Sequence, residues 1–145
     1  MVFSVRSARL AVFDGRCLMS ISITHTFNAD VATLWSIVGQ PDRVDWVPGA
    51  ELIRFEDNIR HFKLPGAGQV AEKILELDEE NTRIRYSVIE SPAPLAAHEA
   101  CITLMPHANG VEMQWTTQVE PSAVEPFIKE SKHVAIKRLE EMLNV

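Results

Sequence analysis

No apolar run in this chain approaches the roughly 18–20 residues that a membrane-spanning helix needs. Cysteine is scarce. Cys17 and Cys101 are the whole supply, too few for a disulfide framework. Neither stands at metal-ligand spacing from the other or from a histidine. Both read as free thiols in a reducing, cytoplasmic setting. The five histidines (His25, His61, His98, His107 and His133) are scattered, and no His-x-x-x-His or Cys-x-x-Cys pair occurs, so no metal site is expected. There is also no Gly-x-Ser-x-Gly elbow, no phosphate loop and no dinucleotide fingerprint, and no cofactor is expected. Basic residues are in deficit, with 14 Lys and Arg against 20 Asp and Glu for a net charge of −6. Without a Lys/Arg cluster, such a chain is a poor partner for nucleic acid or an anionic membrane.

What is present is the material of one globular domain. The length of 145 residues suits a single domain, and 46% apolar against 23% charged residues argues against disorder. Residues 1–18 differ from the rest. They carry Arg6, Arg9 and Arg16 against one acid, Asp14, but Ser4, Arg6, Ser7 and Arg9 interrupt any signal-peptide core. Met19 precedes the first clear strand and reads as an alternative start. The leader is then an extension, a cloning or gene-calling artefact, or the source of a short extra strand near Leu10–Phe13. Residues 19–145 form the expected single domain.

Ser20–Phe27 alternates as a strand. Asn28 is placed to cap a helix running to about Val38, with Val31, Leu34, Trp35 and Val38 inward and Gly39 as its stop. Pro41–Trp46 reads as a second short helix. From Ala50 the apolar period becomes two, with strands expected at Ala50–Asp57, Ile59–Leu64, Gln69–Leu77, Thr82–Glu90, Ala97–Met105 and Val111–Glu120. Turn-forming residues separate them: Asp57-Asn58, Pro65 to Gly68, Asp78 to Asn81, Ser91 to Pro94, and Pro106 to Gly110. Short links between successive strands give an antiparallel meander. The chain closes on a long amphipathic helix, Ser122–Leu143. Its apolar stripe is Val124, Phe127, Ile128, Val134, Ala135, Leu139, Met142 and Leu143, with Ser131 in the slot between Ile128 and Ala135. Glu130, Lys132, His133, Lys137, Glu140 and Glu141 fall on the other side. Two starts fit this helix, a Ser122–Glu125 capping box or Pro126 in the first helical position.

One strand, two short helices, six strands and one long helix give an α+β fold: a curved seven-stranded antiparallel sheet wrapped around the C-terminal helix. The chain resembles the SRPBCC helix-grip superfamily, which holds the START lipid-transfer domains, the birch pollen allergen family and the polyketide cyclase/dehydrase-like proteins. Similarity to the last group is strongest. It rests on Ala29 to Trp35, Asp45-Trp46-Val47-Pro48-Gly49, Arg60 with Phe62, Gly68 through Glu72, the Asp78 turn followed by Tyr86, and the strand containing Trp115. The resemblance spans Ile21 to Leu143 and implies a pocket between the concave sheet face and the long helix. It does not choose among carriers, receptors and enzymes.

Alternation then sorts side chains toward that pocket. Val111, Met113, Trp115, Thr117 and Val119 face inward, with Glu112, Gln114, Thr116 and Gln118 outward. His98, Ala100, Ile102 and Leu104 form another inward set, as do Ile84, Tyr86 and Val88. If Leu64 lies opposite Gly68, Phe62 pairs with Val70 and Arg60 with Glu72. All six then share the inner face, and a bulge at Ile74-Leu75 would shift the phase beyond them. Arg60 and Glu72 form either a register-fixing ion pair or a polar anchor for a ligand. His98 is either a hydrogen-bonded core group or an acid–base residue. Tyr86, the only tyrosine, needs a partner if buried. Trp35 reads as core, while Trp46, Phe55, Trp115 and Phe127 are candidates for the pocket wall.

The candidate ligand-binding set is Arg60, Phe62, Glu72, Tyr86, His98, Trp115, Trp46, Phe127 and Ser131, with His98 and Glu72 as catalytic candidates. The leading expectation is a carrier or sensor, monomer or homodimer, for a small hydrophobic or amphipathic molecule. One alternative is a cofactor-free cyclase/dehydratase-like enzyme performing aldol closure or water loss. Another is a protein-interaction module without ligand, with Met105 and Cys101 as its outward apolar residues.

Overall fold

The computed structural model describes residues 20–144. The leader, with Cys17 and the strand expected near Leu10–Phe13, lies outside them. Seven strands run β1 Ile21–Phe27, β2 Glu51–Glu56, β3 Ile59–Leu64, β4 Gly68–Asp78, β5 Arg83–Glu90, β6 Ala97–His107 and β7 Gly110–Glu120. They form one antiparallel sheet in the order β1-β7-β6-β5-β4-β3-β2. Strands β2 to β7 are the expected meander. The first strand joins its far edge against β7, so the chain crosses the sheet between β1 and β2.

That crossing begins with helix α1, Val31–Val38. Its cap is Asp30, not Asn28. The Asp30 carboxylate accepts the Thr33 N–H at 2.8 Å, a reach Asn28 lies two residues too early to make. Gly39 ends the helix for a packing reason. Its φ of −89° suits any residue, but a Cβ there would lie 2.4 Å from the Trp35 ring. The second short helix does not form. Arg43 N–H bonds Gln40 O, Val47 N–H bonds Val44 O and Ala50 N–H bonds Val47 O, which are separate three-residue turns. The Arg43 carbonyl, which a helix would use internally, instead accepts the Trp46 indole N–H at 3.2 Å.

The last helix opens as a 3-10 turn, Ser122–Val124, and continues as α2, Glu125–Leu143. Proline in the first turn sets this start; the Ser122 side chain makes no cap bond. Ala135, Ile136 and Leu139 of α2 are buried in one core with Ile21, Ile23, Ile84, Ile102 and Met113. Val134, placed on the stripe by spacing, is instead 41% exposed.

The register of β3 and β4 is the expected one: Arg60 opposite Glu72, Phe62 opposite Val70, Leu64 opposite Gly68. Pairing of β4 with β5 shifts between Ile74 and Glu76, so Ile74 is buried while Leu75 is exposed. On the convex face Arg85 joins Glu76 at 2.8 Å and Glu99 at 2.7 Å, tying three strands together. Two residues assigned outward are buried, Thr116 and Cys101. Cys101 is disulfide-bonded rather than the free thiol expected from the sequence. Met105 is outward and exposed as expected.

Candidate functional site

Between the concave sheet and the N-terminal half of α2 lies a cavity of about 550 Å³. All nine candidate residues lie on its wall: Arg60, Phe62, Glu72, Tyr86, His98, Trp115, Trp46, Phe127 and Ser131. Phe55 does not; it is exposed on β2. Apolar side chains supply most of the lining, among them Val44, Leu64, Val70 and Ile128. Such a composition, with a few converging polar groups, is that of a small-molecule site.

The polar groups are joined to one another. Arg60 Nε donates to Glu72 Oε1 at 2.7 Å, with both side chains largely withdrawn from solvent. Arg60 also donates to Pro41 O at 3.4 Å and holds its guanidinium 4.9 Å from the Tyr86 ring centre. Trp115 Nε1–H donates to the Tyr86 hydroxyl at 3.0 Å, which leaves the phenol's own proton for another acceptor. Burial, reinforced by the Glu72 carboxylate, raises the Tyr86 pKa above its ordinary value, so the phenol stays protonated. Trp115 packs against Trp46, ring centres 5.4 Å apart.

His98 is fixed by the strand beside it. Pairing of β5 with β6 runs from Arg83 opposite Thr103 to Tyr86 opposite Ala100. Beyond that point the Val88 N–H donates to His98 Nδ1 at 3.0 Å. The accepting Nδ1 assigns the neutral ring's proton to Nε2. Burial, then the charge of Lys132, lowers the His98 pKa to about 4.

Lys132 is the group that sequence reasoning missed. It was assigned to the solvated side of the helix, yet it is 4% exposed and lines the cavity. Its Nζ lies 3.8 Å from the Trp115 ring centre. Burial lowers its pKa to about 7, against an upward pull from Glu72. The signal was in the spacing. Ile128, Lys132, Ala135, Ile136 and Leu139 make an unbroken three-to-four stripe, and the slot given to Ser131 belongs to Lys132. Ser131 is exposed at the cavity edge and its hydroxyl donates to the Ile128 carbonyl at 2.9 Å. Phe127, also at the edge, is 60% exposed.

Among the described residues there is no cluster of three or more His, Cys, Asp or Glu side chains able to hold a metal, and no helix long and apolar enough to cross a membrane. His25 pairs with Glu140 at 2.6 Å on the far half of α2.

A curved antiparallel sheet gripping a long C-terminal helix around an internal cavity defines the helix-grip class. Within that class the chain belongs to the family of polyketide cyclase/dehydrase and lipid transport proteins, whose profile matches residues 19–143. Solved structures share the fold at low identity. An uncharacterised protein from Bacillus thuringiensis matches with a TM-score of 0.76 at 15% identity, over 86% of this chain and 98% of its own. A protein from Thermobifida fusca gives 0.63 at 21% identity, over 77% and 83%. Norcoclaurine synthase from Thalictrum flavum, solved with dopamine and hydroxybenzaldehyde, gives 0.64 at 19% identity, over 85% and 84%. Comparison with curated protein sequences found no match.

Proposed function

We propose that residues 19–145 are a single ligand-binding domain that carries or senses a small amphipathic molecule held between the sheet and α2. One observation carries this reading: a cavity of about 550 Å³, apolar over most of its wall, with Arg60, Glu72, Tyr86, Trp115 and Lys132 gathered into one connected group. That volume lies within the range of roughly 300–1,000 Å³ typical of small-molecule pockets. The family's association with lipid transport agrees with it. The apolar body of the ligand would lie against Phe62, Val70 and Trp46, and its polar end at Tyr86, His98 and Lys132.

Native mass spectrometry of the purified chain with fatty acids, sterols, flavonoids and aromatic polyketides tests the proposal. Retention of one compound class at one-to-one stoichiometry is expected, lost when Val70→Trp fills the cavity. Failure of every class to bind a folded chain would overturn it.

A second reading, a cofactor-free enzyme of the cyclase/dehydratase kind, draws on the Tyr86 hydroxyl. It is a donor kept protonated by burial and positioned by Trp115, suited to polarising a carbonyl. Tyr86→Phe would then abolish turnover of a polyketide substrate while leaving its binding within a few-fold. Binding of the polyketide by the parent chain without turnover would favour the carrier.

A further inference from the structure

The ionisable side chains of the cavity do not balance. Six line it: Arg43, Arg60, Glu72, Tyr86, His98 and Lys132. Arg43 faces in from the turn after α1 and is spent on Asp45, with Nε 2.8 Å from its carboxylate. Arg60 on β3 is spent on Glu72 of β4. His98 on β6 accepts from a backbone N–H and is neutral near pH 7. Tyr86 on β5 is an uncharged phenol, and Trp115 on β7 offers only its ring face. Lys132 is left over. It makes no hydrogen bond or ion pair among the described residues, and Glu72, already held by Arg60, reaches it only as a through-space pull, although Lys132 is almost fully buried. A chain of net charge −6 thus keeps one unpaired amine inside its cavity.

Burying an amino group without a counter-ion is costly, and an aromatic face repays only part of that cost. A glutamine or methionine would fit the same helical slot at lower cost. Resting on the carrier reading above, we infer that Lys132 is the recognition group for an anionic headgroup, and that the ligand is an amphipath with one carboxylate on an apolar body. The carboxylate supplies the missing counter-ion beside Trp115, and the apolar body fills the rest of the cavity. Two consequences follow. An anion is preferred over a neutral analogue by about tenfold or more, the scale of a charge-assisted hydrogen bond. Binding also fixes the proton on Lys132. Because burial holds the free amine near pKa 7, the chain takes up about half a proton at pH 7 and close to one at pH 8. Of the other groups facing the site, Glu72 and Arg60 hold each other as an ion pair, while His98 is already neutral and Tyr86 already protonated across that range, so neither of these two contributes.

The test is calorimetric titration of the full chain with two series, dodecanoate against dodecanol and 1-naphthoate against 1-naphthol. Each is run at pH 8 in two buffers of different ionisation enthalpy, which reports proton uptake directly. In at least one series the carboxylate is expected to bind tenfold or more tighter than the alcohol, with uptake near one proton. Lys132→Met should erase both the preference and the uptake, so that acid and alcohol bind alike. Lys132→Gln, which keeps a polar terminus without the charge, should do the same if the methionine variant folds poorly. Equal binding of acid and alcohol, no proton uptake, or a preference surviving both substitutions would overturn the inference and leave the carrier proposal standing. Binding of neither member in either series would overturn this inference, whereas the carrier proposal stands or falls on the wider ligand panel.

Discussion

Arg60 and Glu72 stand directly opposite each other on β3 and β4, with Nε 2.7 Å from Oε1 and both side chains turned inward. Such a pair is costly to halve and cheap to replace whole. Glu72→Gln leaves the guanidinium buried without its counter-ion and should lower unfolding free energy by about 3–5 kcal/mol. Arg60→Met with Glu72→Leu should fall between neutral and about 1–4 kcal/mol more stable. Urea denaturation of the three proteins decides this. A glutamine variant within about 1 kcal/mol of the parent would show that the pair does not hold the register.

The bond from Trp115 to Tyr86 bridges β7 and β5 across the intervening strand. Tyr86→Phe strands a buried indole N–H and should cost about 1–3 kcal/mol. Trp115→Phe removes the donor as well as ring volume. The double substitution should cost less than the two single costs added, since the shared bond is lost only once. Additive costs would mean the bond contributes nothing.

The two halves of α2 should answer differently. Leu139→Ala opens a void in the fully buried core and should cost about 2–5 kcal/mol, with affinity for a cavity-bound naphthalene dye unchanged. Phe127→Ala removes a mostly exposed ring at the cavity edge and should stay within about 0.5 kcal/mol while weakening the dye. Paired denaturation and fluorescence titrations separate the two effects.

Stability should climb with pH through a definite window. His98 has a pKa of about 4 in the folded chain against 6.5 for the free side chain. The unfolded chain therefore binds the extra proton between those values, and this stabilisation is full above pH 6.5 and lost as pH falls toward 4. One such site is worth up to about 3 kcal/mol over the window. Lys132, lowered from 10.5 to about 7, acts in the same sense between those pH values. The measurement is the wild-type melting curve minus that of His98→Gln, which cancels the carboxylates. A difference that is flat between pH 4 and 6.5 would refute the assignment.

The sequence made the sheet legible because alternation, turn residues and one well-matched hairpin all pointed the same way. Phe62, Val70 and Gly68 sufficed to place Arg60 opposite Glu72. What stayed hidden depended on side-chain competition. Pro41–Trp46 has helical spacing, but the Trp46 indole occupies the carbonyl that a helix would need. Lys132 was sorted by its charge when its position in the stripe was the better guide, because buried lysines are rare. The count of cysteines did not reveal the bonded state of Cys101, because a count says nothing about pairing.

The seam between β5 and β6 has a further consequence. At Val88 the sheet's ordinary acceptor, a carbonyl oxygen, is replaced by an imidazole nitrogen. A carbonyl accepts at every pH, whereas this nitrogen accepts only while the ring is neutral. Acid therefore unfastens one stitch of the sheet next to the loop of Ser91, Pro92 and Leu95 that lines the cavity. The Val88 amide proton is a single-residue gauge of that stitch, and its protection against exchange, taken relative to the intrinsic rate at each pH, should fall as pH drops through about 4.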